Sequence, residues 1–187
     1  FSTGEYKYTA PSGESYVDRS EVFTYTVEDA DGDRASSTIT MNVPGEDIPT
    51  VGPNAVLQLD DDALTGGNPG GTGDDVQSVV MAGTLSHDYG DDGPGTTLLT
   101  GATVPAGFTT SVNSAGTVLT ISQGGTAVLS VTLADTVSGN YTVSQLASVH
   151  HPAGLNENNV QFTLNYTTTD SNGDSAHGTF MIDVDDD

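Results

Sequence analysis

The chain has 187 residues, a hydrophobic content of 34%, and 26 acidic side chains against three Lys or Arg, for a formal net charge of −23. This balance excludes nucleic acid and anionic membranes as electrostatic partners, because both require a basic surface. Cysteine is absent and no apolar run approaches membrane length, so a secreted form would need a stabiliser other than disulfides, such as metal ions.

Alternation of apolar and polar residues predicts β-strands from the beginning of the chain. The pattern covers residues 6–8, 23–27 and 38–43, and in each it places apolar side chains on one face. Residues 44–49 contain two prolines and a glycine, and they predict a linker.

Short strands with turn signals between them continue after the linker. Residues 66–75 are rich in Gly and predict a loop, and residues 123–125 predict the tight turn of a hairpin. No stretch keeps a 3.6-residue period, so few helices are expected, and the whole pattern predicts an all-β protein with a β-sandwich fold. The predicted strands are 54–59, 76–83, 96–100, 108–112, 117–122, 126–133, 140–146, 160–168 and 177–184.

An internal repeat of domain size runs through the chain. Asp29-Ala-Asp-Gly-Asp33 returns 141 residues later as Asp170-Ser-Asn-Gly-Asp174, each between two strand-like runs. Neighbouring positions return with it: Phe23, Tyr25 and Val43 reappear as Leu164, Tyr166 and Val184. A repeat of this size indicates an array of modules rather than a single enzyme.

The repeat also predicts a domain boundary. Residues 4–8 match residues 139–143, so residues 1–47 correspond to the last third of a unit plus the linker, and 48–187 form a complete unit. About 45 residues in three strands bury too little surface for a core of their own. We expect the missing strands to come from another part of a longer parent protein or from a second molecule, and the start at Phe1 fits such an excised piece.

The two acidic turns are candidate metal sites, through Asp29, Asp31 and Asp33 in the first and Asp170, Asn172 and Asp174 in the second. They are not EF-hands, because the required Gly and Glu positions of the first copy hold Arg34 and Thr40. One interpretation is an Asx-type turn in which Asp side chains hold backbone N–H groups. The other is ligation of a hard cation such as Ca²⁺, and the two are compatible.

Acidic runs at the ends of the units are further candidates. Carboxylates from two sides of a joint can share Ca²⁺, which takes six to eight oxygen ligands, and the ion would turn a hinge into a rigid spacer. The alternatives are a solvated charge run, or an acidic surface suited to a saline habitat. The candidate ligands are Glu46, Asp47, Asp60, Asp61, Asp62, Asp185, Asp186 and Asp187.

The histidines do not predict a zinc or catalytic site. His150 and His151 are adjacent, and on an extended segment they would point to opposite faces. His87 is followed by Asp88, but no Cys accompanies either group. No nucleophile motif or phosphate loop is present, so we do not expect an enzyme.

Five segments in this order resemble a repeat of about 140 residues in long bacterial RTX adhesins, which are exported by type I secretion. The resemblance covers residues 48–187, and residues 1–47 match the C-terminal part of that repeat. The segments are LDDDALTGGNPGGTGDD (59–75), GTLSHDYGDDG (83–93), VLTISQGG (118–125), HPAG (151–154) and NNVQFTLNY (158–166).

The resemblance implies tandem Ig-like or cadherin-like β-sandwich modules on the bacterial surface, with Ca²⁺ at and between them. It implies an extender that projects adhesive domains for attachment and biofilm formation. The implied partners are neighbouring repeats of the same chain, with a ligand-binding domain inserted upstream of the incomplete unit. The alternative function is a calcium-dependent glycan- or peptide-binding module that uses loops 66–75 and 87–95, in which Tyr89 is the aromatic residue available for stacking.

Overall fold

A computed structural model of the chain describes residues 4–9, 19–43, 45, 47–60, 64, 79–151 and 159–185. These residues contain strands and no helix, which confirms the all-β prediction. No helix in this part of the chain could therefore cross a membrane. The chain divides into two compact units, Phe1–Asp47 and Ile48–Asp187, and each is described separately.

The strands are short, as the turn-rich sequence predicts. In chain order they are β1 (Arg19–Glu28), β2 (Arg34–Val43), β3 (Thr50–Val51), β4 (Leu57–Asp60), β5 (Val80–Thr84), β6 (His87–Asp88), β7 (Pro94–Thr103), β8 (Phe108–Val112), β9 (Val118–Gln123), β10 (Thr126–Leu133), β11 (Asn140–Gln145), β12 (Val160–Asp170) and β13 (Ser175–Asp185).

The unit Ile48–Asp187 is a β-sandwich. One sheet has the strand order β5-β11-β10-β9-β8 and the other β4-β13-β12-β7, with β3 and β6 as a small additional pair. Every second residue of β12 is buried, as expected for a strand with one face in the core. Rings from the two sheets meet between them: Phe108 lies 5.0 Å from Phe162, and Tyr141 lies 4.9 Å from Phe180. The core therefore lies between the sheets.

The unit Phe1–Asp47 contributes one antiparallel hairpin, β1–β2, with Phe23 opposite Ile39 and Tyr25 opposite Ser37. The strand predicted at residues 6–8 is wrong, since residues 4–9 form no strand. The matching residues of the complete unit belong to β11, which hydrogen-bonds to β5 on one side and β10 on the other. Among the described residues of the first unit, no strands equivalent to β5 and β10 lie beside residues 6–8. Alternation of apolar residues alone therefore does not make this segment a strand.

Most predicted strands of the complete unit are confirmed, and β8 and β10 have the predicted bounds. The turn between β9 and β10 contains Gly124 and Gly125 with φ of 57° and 89°, the left-handed conformations that a tight hairpin turn requires. The two short strands β3 and β6 were not predicted, because two residues carry no periodicity. The predicted loop 66–75 lies outside the described residues.

A glycine opposite a buried tyrosine fixes the packing of β12 against β13. Gly178 pairs with Tyr166, and a Cβ at Gly178 would lie 2.2 Å from the ring carbon Cζ. The ring has no room to move, because it is fully buried and its hydroxyl donates to the Ser86 carbonyl oxygen at 2.7 Å. The same hydroxyl accepts a hydrogen bond from Asn54 Nδ2 at 3.1 Å.

Gly178→Ser should therefore lower the free energy of unfolding by about 1–3 kcal/mol, the usual cost of overpacking a core. Urea denaturation followed by far-UV circular dichroism measures it. Thr179→Ser is the matched control, because Thr179 is the next residue on the strand and is exposed. An unchanged midpoint for Gly178→Ser would mean that the Tyr166 ring is not held in place.

Candidate metal centres

The first acidic turn joins β1 to β2 and is organised by Asp29. Its Oδ1 accepts hydrogen bonds from the backbone N–H groups of Asp31 at 3.3 Å and Asp33 at 3.0 Å. Gly32 has a φ of 99°, so the fourth position of the motif requires glycine. One carboxylate thus holds the turn, as the Asx-type interpretation predicts.

The other carboxylates of this turn converge on the first. Oxygens of Asp29, Asp31 and Asp33 lie within 4.8 Å of one another, and all three residues are exposed. In the part of the chain that the structure describes, this is the one group of three acidic or histidine side chains spaced closely enough to hold a metal ion. Hydrogen bonding with the Asp31 carboxyl and with the Asp33 N–H lowers the pKa of Asp29, so that carboxylate stays ionised as the pH falls.

The second acidic turn joins β12 to β13 and has the same backbone arrangement. Asp170 Oδ1 accepts from the backbone N–H groups of Gly173 and Asp174, both at 2.9 Å, and Gly173 has a φ of 110°. Asn172 Oδ1 accepts from Asp174 N–H at 3.2 Å. Asn172 stands where the first turn has Asp31, so the second turn has one carboxylate fewer.

Burial distinguishes the two turns. Asp170 is buried, because it pairs with Pro94 at the start of β7, and its Oδ2 is enclosed without a hydrogen-bond partner. The turn that precedes β7 also contacts the acidic turn: Asn172 Nδ2 donates to Asp92 Oδ2 at 3.1 Å, and Ser171 N–H donates to the Gly93 carbonyl oxygen at 3.2 Å.

A third acidic group lies at one end of the four-stranded sheet. Strand β4 runs parallel to β13, with Asp60 opposite Asp185 and Gln58 opposite Asp183. Adjacent strands lie about 4.8 Å apart, so the parallel pairing brings residues 125 positions apart side by side. Leu59 and Val184, which alternate with them, are fully buried in the core, so Asp60, Asp183 and Asp185 extend from the opposite face.

Two carboxylates of this third group, Asp60 and Asp183, are buried although they lie on the outer face. Asp183 Oδ2 has only long contacts, 3.4 Å from both Asn159 Nδ2 and Gln161 Nε2, and Oδ1 is enclosed without a partner. Asp183 was not predicted as a ligand, although its neighbours Asp185, Asp186 and Asp187 were. Its position inside a strand does not distinguish it from other outward-facing residues.

The complete unit contains no Lys or Arg that could pair with its carboxylates. Residues 48–187 hold 16 of the 26 acids but none of the three Lys and Arg, which are Lys7, Arg19 and Arg34. Both ion pairs in the described residues, Arg19–Glu21 and Arg34–Glu28, belong to the first unit. A buried carboxylate oxygen without a partner is costly, so a cation near Asp183 Oδ1 would stabilise this residue. This signal is readable in the sequence as a stretch of 140 residues without Lys or Arg.

The remaining predicted ligands divide into two sets. Asp47 is exposed and lies at the end of the first unit. Within the complete unit, the structure brings Asp60 together with Asp185. Glu46, Asp61, Asp62, Asp186 and Asp187 lie outside the described residues.

Side chains considered for other chemistry have packing roles. The two ring nitrogens of His87 lie 2.8 Å from the Leu85 carbonyl oxygen and 3.1 Å from that of Val137. Tyr89, on which the glycan-binding alternative depends, packs edge-on against His87 and donates its hydroxyl to the Val137 carbonyl oxygen at 2.8 Å. These contacts hold loop 87–95 against the sandwich.

Fold and sites together define a strongly acidic β-sandwich module with carboxylates gathered at its turns and at one end of a sheet. Residues 56–183 match the family described as a domain of unknown function (DUF5801), and the chain belongs to this family. No curated protein matches the chain.

Proposed function

We propose that this chain is a calcium-stiffened extender module of a bacterial RTX adhesin, located outside the cell and flanked by similar units of the same polypeptide. The observation that supports it best is the cluster of Asp29, Asp31 and Asp33, whose oxygens lie within 4.8 Å of one another. The outer-face group of Asp60, Asp183 and Asp185 offers a second, more widely spaced set of carboxylates. Two of these carboxylates are buried, one oxygen has no partner, and the unit supplies no Lys or Arg. Carboxylate oxygens are the ligands that Ca²⁺ prefers, and its flexible coordination suits an irregular set.

The outer-face group lies on two strands, β4 and β13, whose position suits a module that carries mechanical tension. After the linker and the short strand β3, β4 is the strand by which the chain enters the two main sheets, and β13 is the strand by which it leaves them. The two are parallel neighbours with four residue pairs. Force applied between the two ends of such a unit loads their hydrogen bonds together, in shear, rather than one after another. A cation held by Asp60 and Asp185 would tie the entering strand to the leaving strand.

The mechanism then follows from electrostatics. Without the ion, clustered negative charges repel one another and favour a loose chain, which suits export in an unfolded form. Extracellular calcium modules bind with dissociation constants of about 10⁻⁴ to 10⁻³ M, so the unit would become fully stable only after export.

Calcium should therefore raise the melting temperature of the full chain. With a dissociation constant in that range, about 10 mM calcium would add roughly 1.4–2.7 kcal/mol to the free energy of unfolding, or several degrees. Thermal denaturation in calcium, in magnesium and in EDTA, at matched ionic strength, measures this. Coincident curves in all three buffers would contradict the proposed function.

A further inference from the structure

One face of the hairpin β1–β2 is exposed, and the equivalent face of the complete unit packs in its core. Phe23, Tyr25 and Val27 lie on this face, opposite Ile39, Ser37 and Ala35, and they are 46%, 46% and 58% exposed. Their counterparts 141 residues later are Leu164, Tyr166 and Thr168, which are all fully buried. Positions that build the sandwich core in the complete unit are thus exposed to solvent in the first unit.

The complete unit shows what covers this face. Leu119, Ile121, Leu129, Val131 and Val143 of the five-stranded sheet are fully buried in the same core cluster as Leu164 and Tyr166. Strands β4 and β7 pair with the outer edges of β13 and β12. Among the described residues of the first unit, β1 and β2 pair only with each other, so the face and both edges lack their counterparts.

Residues 4–9 already occupy a small part of the uncovered face. Tyr8 corresponds to Val143 of β11, its ring lies 5.7 Å from Phe23, and its hydroxyl donates to Glu21 Oε2 at 2.7 Å. A mostly apolar cleft stays open beside it, lined by Tyr6, Lys7, Tyr8, Phe23, Ile39 and Met41. The contact of Tyr8 with Phe23 therefore resembles a small part of the inter-sheet packing in the complete unit, while the rest of the β1–β2 face stays exposed.

We infer that the β1–β2 face is the docking surface for strands equivalent to β5, β8, β9 and β10 from a unit of this same family, which would form a five-stranded sheet with residues 4–8, together with edge strands equivalent to β4 and β7. The repeat argues for this occupant, because it matches the hairpin position by position with a hairpin that such a sheet covers. An isolated two-stranded hairpin is only marginally stable in water, so docking would complete its fold. The inference does not depend on calcium.

The test extends the full chain at its N-terminus. A second copy of residues 48–138 is joined to Gly4, which matches Gly139, so that the added strands and β1–β2 together have the order of a complete unit. Hydrogen exchange by mass spectrometry is then measured in EDTA for the original and the extended chain. We expect amides of β1 and β2 to exchange on the order of 100-fold more slowly in the extended chain, approaching β12 and β13.

Two adjacent residues provide matched variants of the extended chain. Phe23→Asp places a charge on the proposed surface and should restore fast exchange in β1 and β2. Val22→Asp places the same charge on the opposite face, where Val22 is exposed, and should leave exchange slow. Variants that behave alike would contradict the proposed surface.

Three outcomes would overturn the inference. The first is fast exchange in β1 and β2 although circular dichroism shows that the added strands have formed. The second is an extension that stays unfolded, because the hairpin then fails to accept the sheet. The third is an original chain that is a dimer in sedimentation velocity and has protected β1–β2 amides, which would make a second copy the occupant.

Discussion

Tyr166→Ala is expected to lower the free energy of unfolding of the complete unit by about 3–5 kcal/mol, the usual cost of removing a large aromatic side chain from a core. Tyr25→Ala, at the equivalent position of the first unit, should change the free energy of unfolding of its own unit by less than about 0.5 kcal/mol. Tyr166 is fully buried and Tyr25 is 46% exposed, so the same substitution removes packing in one copy and surface in the other. Urea denaturation followed by far-UV circular dichroism measures both.

Tyr166→Phe separates the hydroxyl from the ring. It should cost about 1–2 kcal/mol, because the Ser86 carbonyl oxygen and Asn54 Nδ2 lose a buried partner. Equal effects of Tyr166→Ala and Tyr25→Ala would mean that the hairpin of the first unit is packed as tightly as that of the second.

The same hydroxyl makes the unit sensitive to alkaline pH. Burial raises the pKa of Tyr166, and likewise that of Tyr141, above the ordinary tyrosine value. A raised pKa in the folded state contributes stability that is present below the unfolded value, about 10, and is lost as the pH rises through the folded value. Stability should therefore fall above about pH 10, and Tyr166→Phe should reduce that fall.

The sequence predicts those parts of the fold that rest on local patterns. Strands β12 and β13 were found because their apolar residues alternate, and the hairpin β9–β10 because Gly124 and Gly125 allow its turn. The parallel pairing of β4 with β13 has no local pattern, because it joins residues more than 120 positions apart. The sequence therefore identifies Asp60 and Asp185 as candidate ligands without showing that they are neighbours.

For the candidate ligands, too, local sequence patterns reveal the acidic motifs but not the packing around each carboxylate. Acidic turns are visible as repeated motifs, and the structure adds that Asp29 and Asp170 hold backbone N–H groups. Which carboxylates become buried depends on what packs over them. Asp170 is covered by β7, while Asp29, in a turn with the same backbone arrangement, is exposed, and the motif alone does not predict which of the two is covered.

Asp183→Asn should have opposite effects with and without calcium. In EDTA the variant should be more stable by roughly 1–2 kcal/mol, because a buried, unpaired charge is replaced by a neutral amide of the same shape. In calcium it should lose most of the rise in melting temperature, because a charged ligand has been removed. Thermal denaturation of the full chain in both buffers measures the two effects together.

The control is Asp91→Asn, which removes the same charge from an exposed residue of the same unit and should leave both melting curves nearly unchanged. A plain reduction of net charge would make the two variants alike, whereas loss of a ligand separates them. A change of sign between EDTA and calcium has no explanation in packing alone, because packing is the same in both buffers. If Asp183→Asn kept the full calcium response, Asp183 would not belong to a calcium site, and the proposed function would lose the support of the outer-face group.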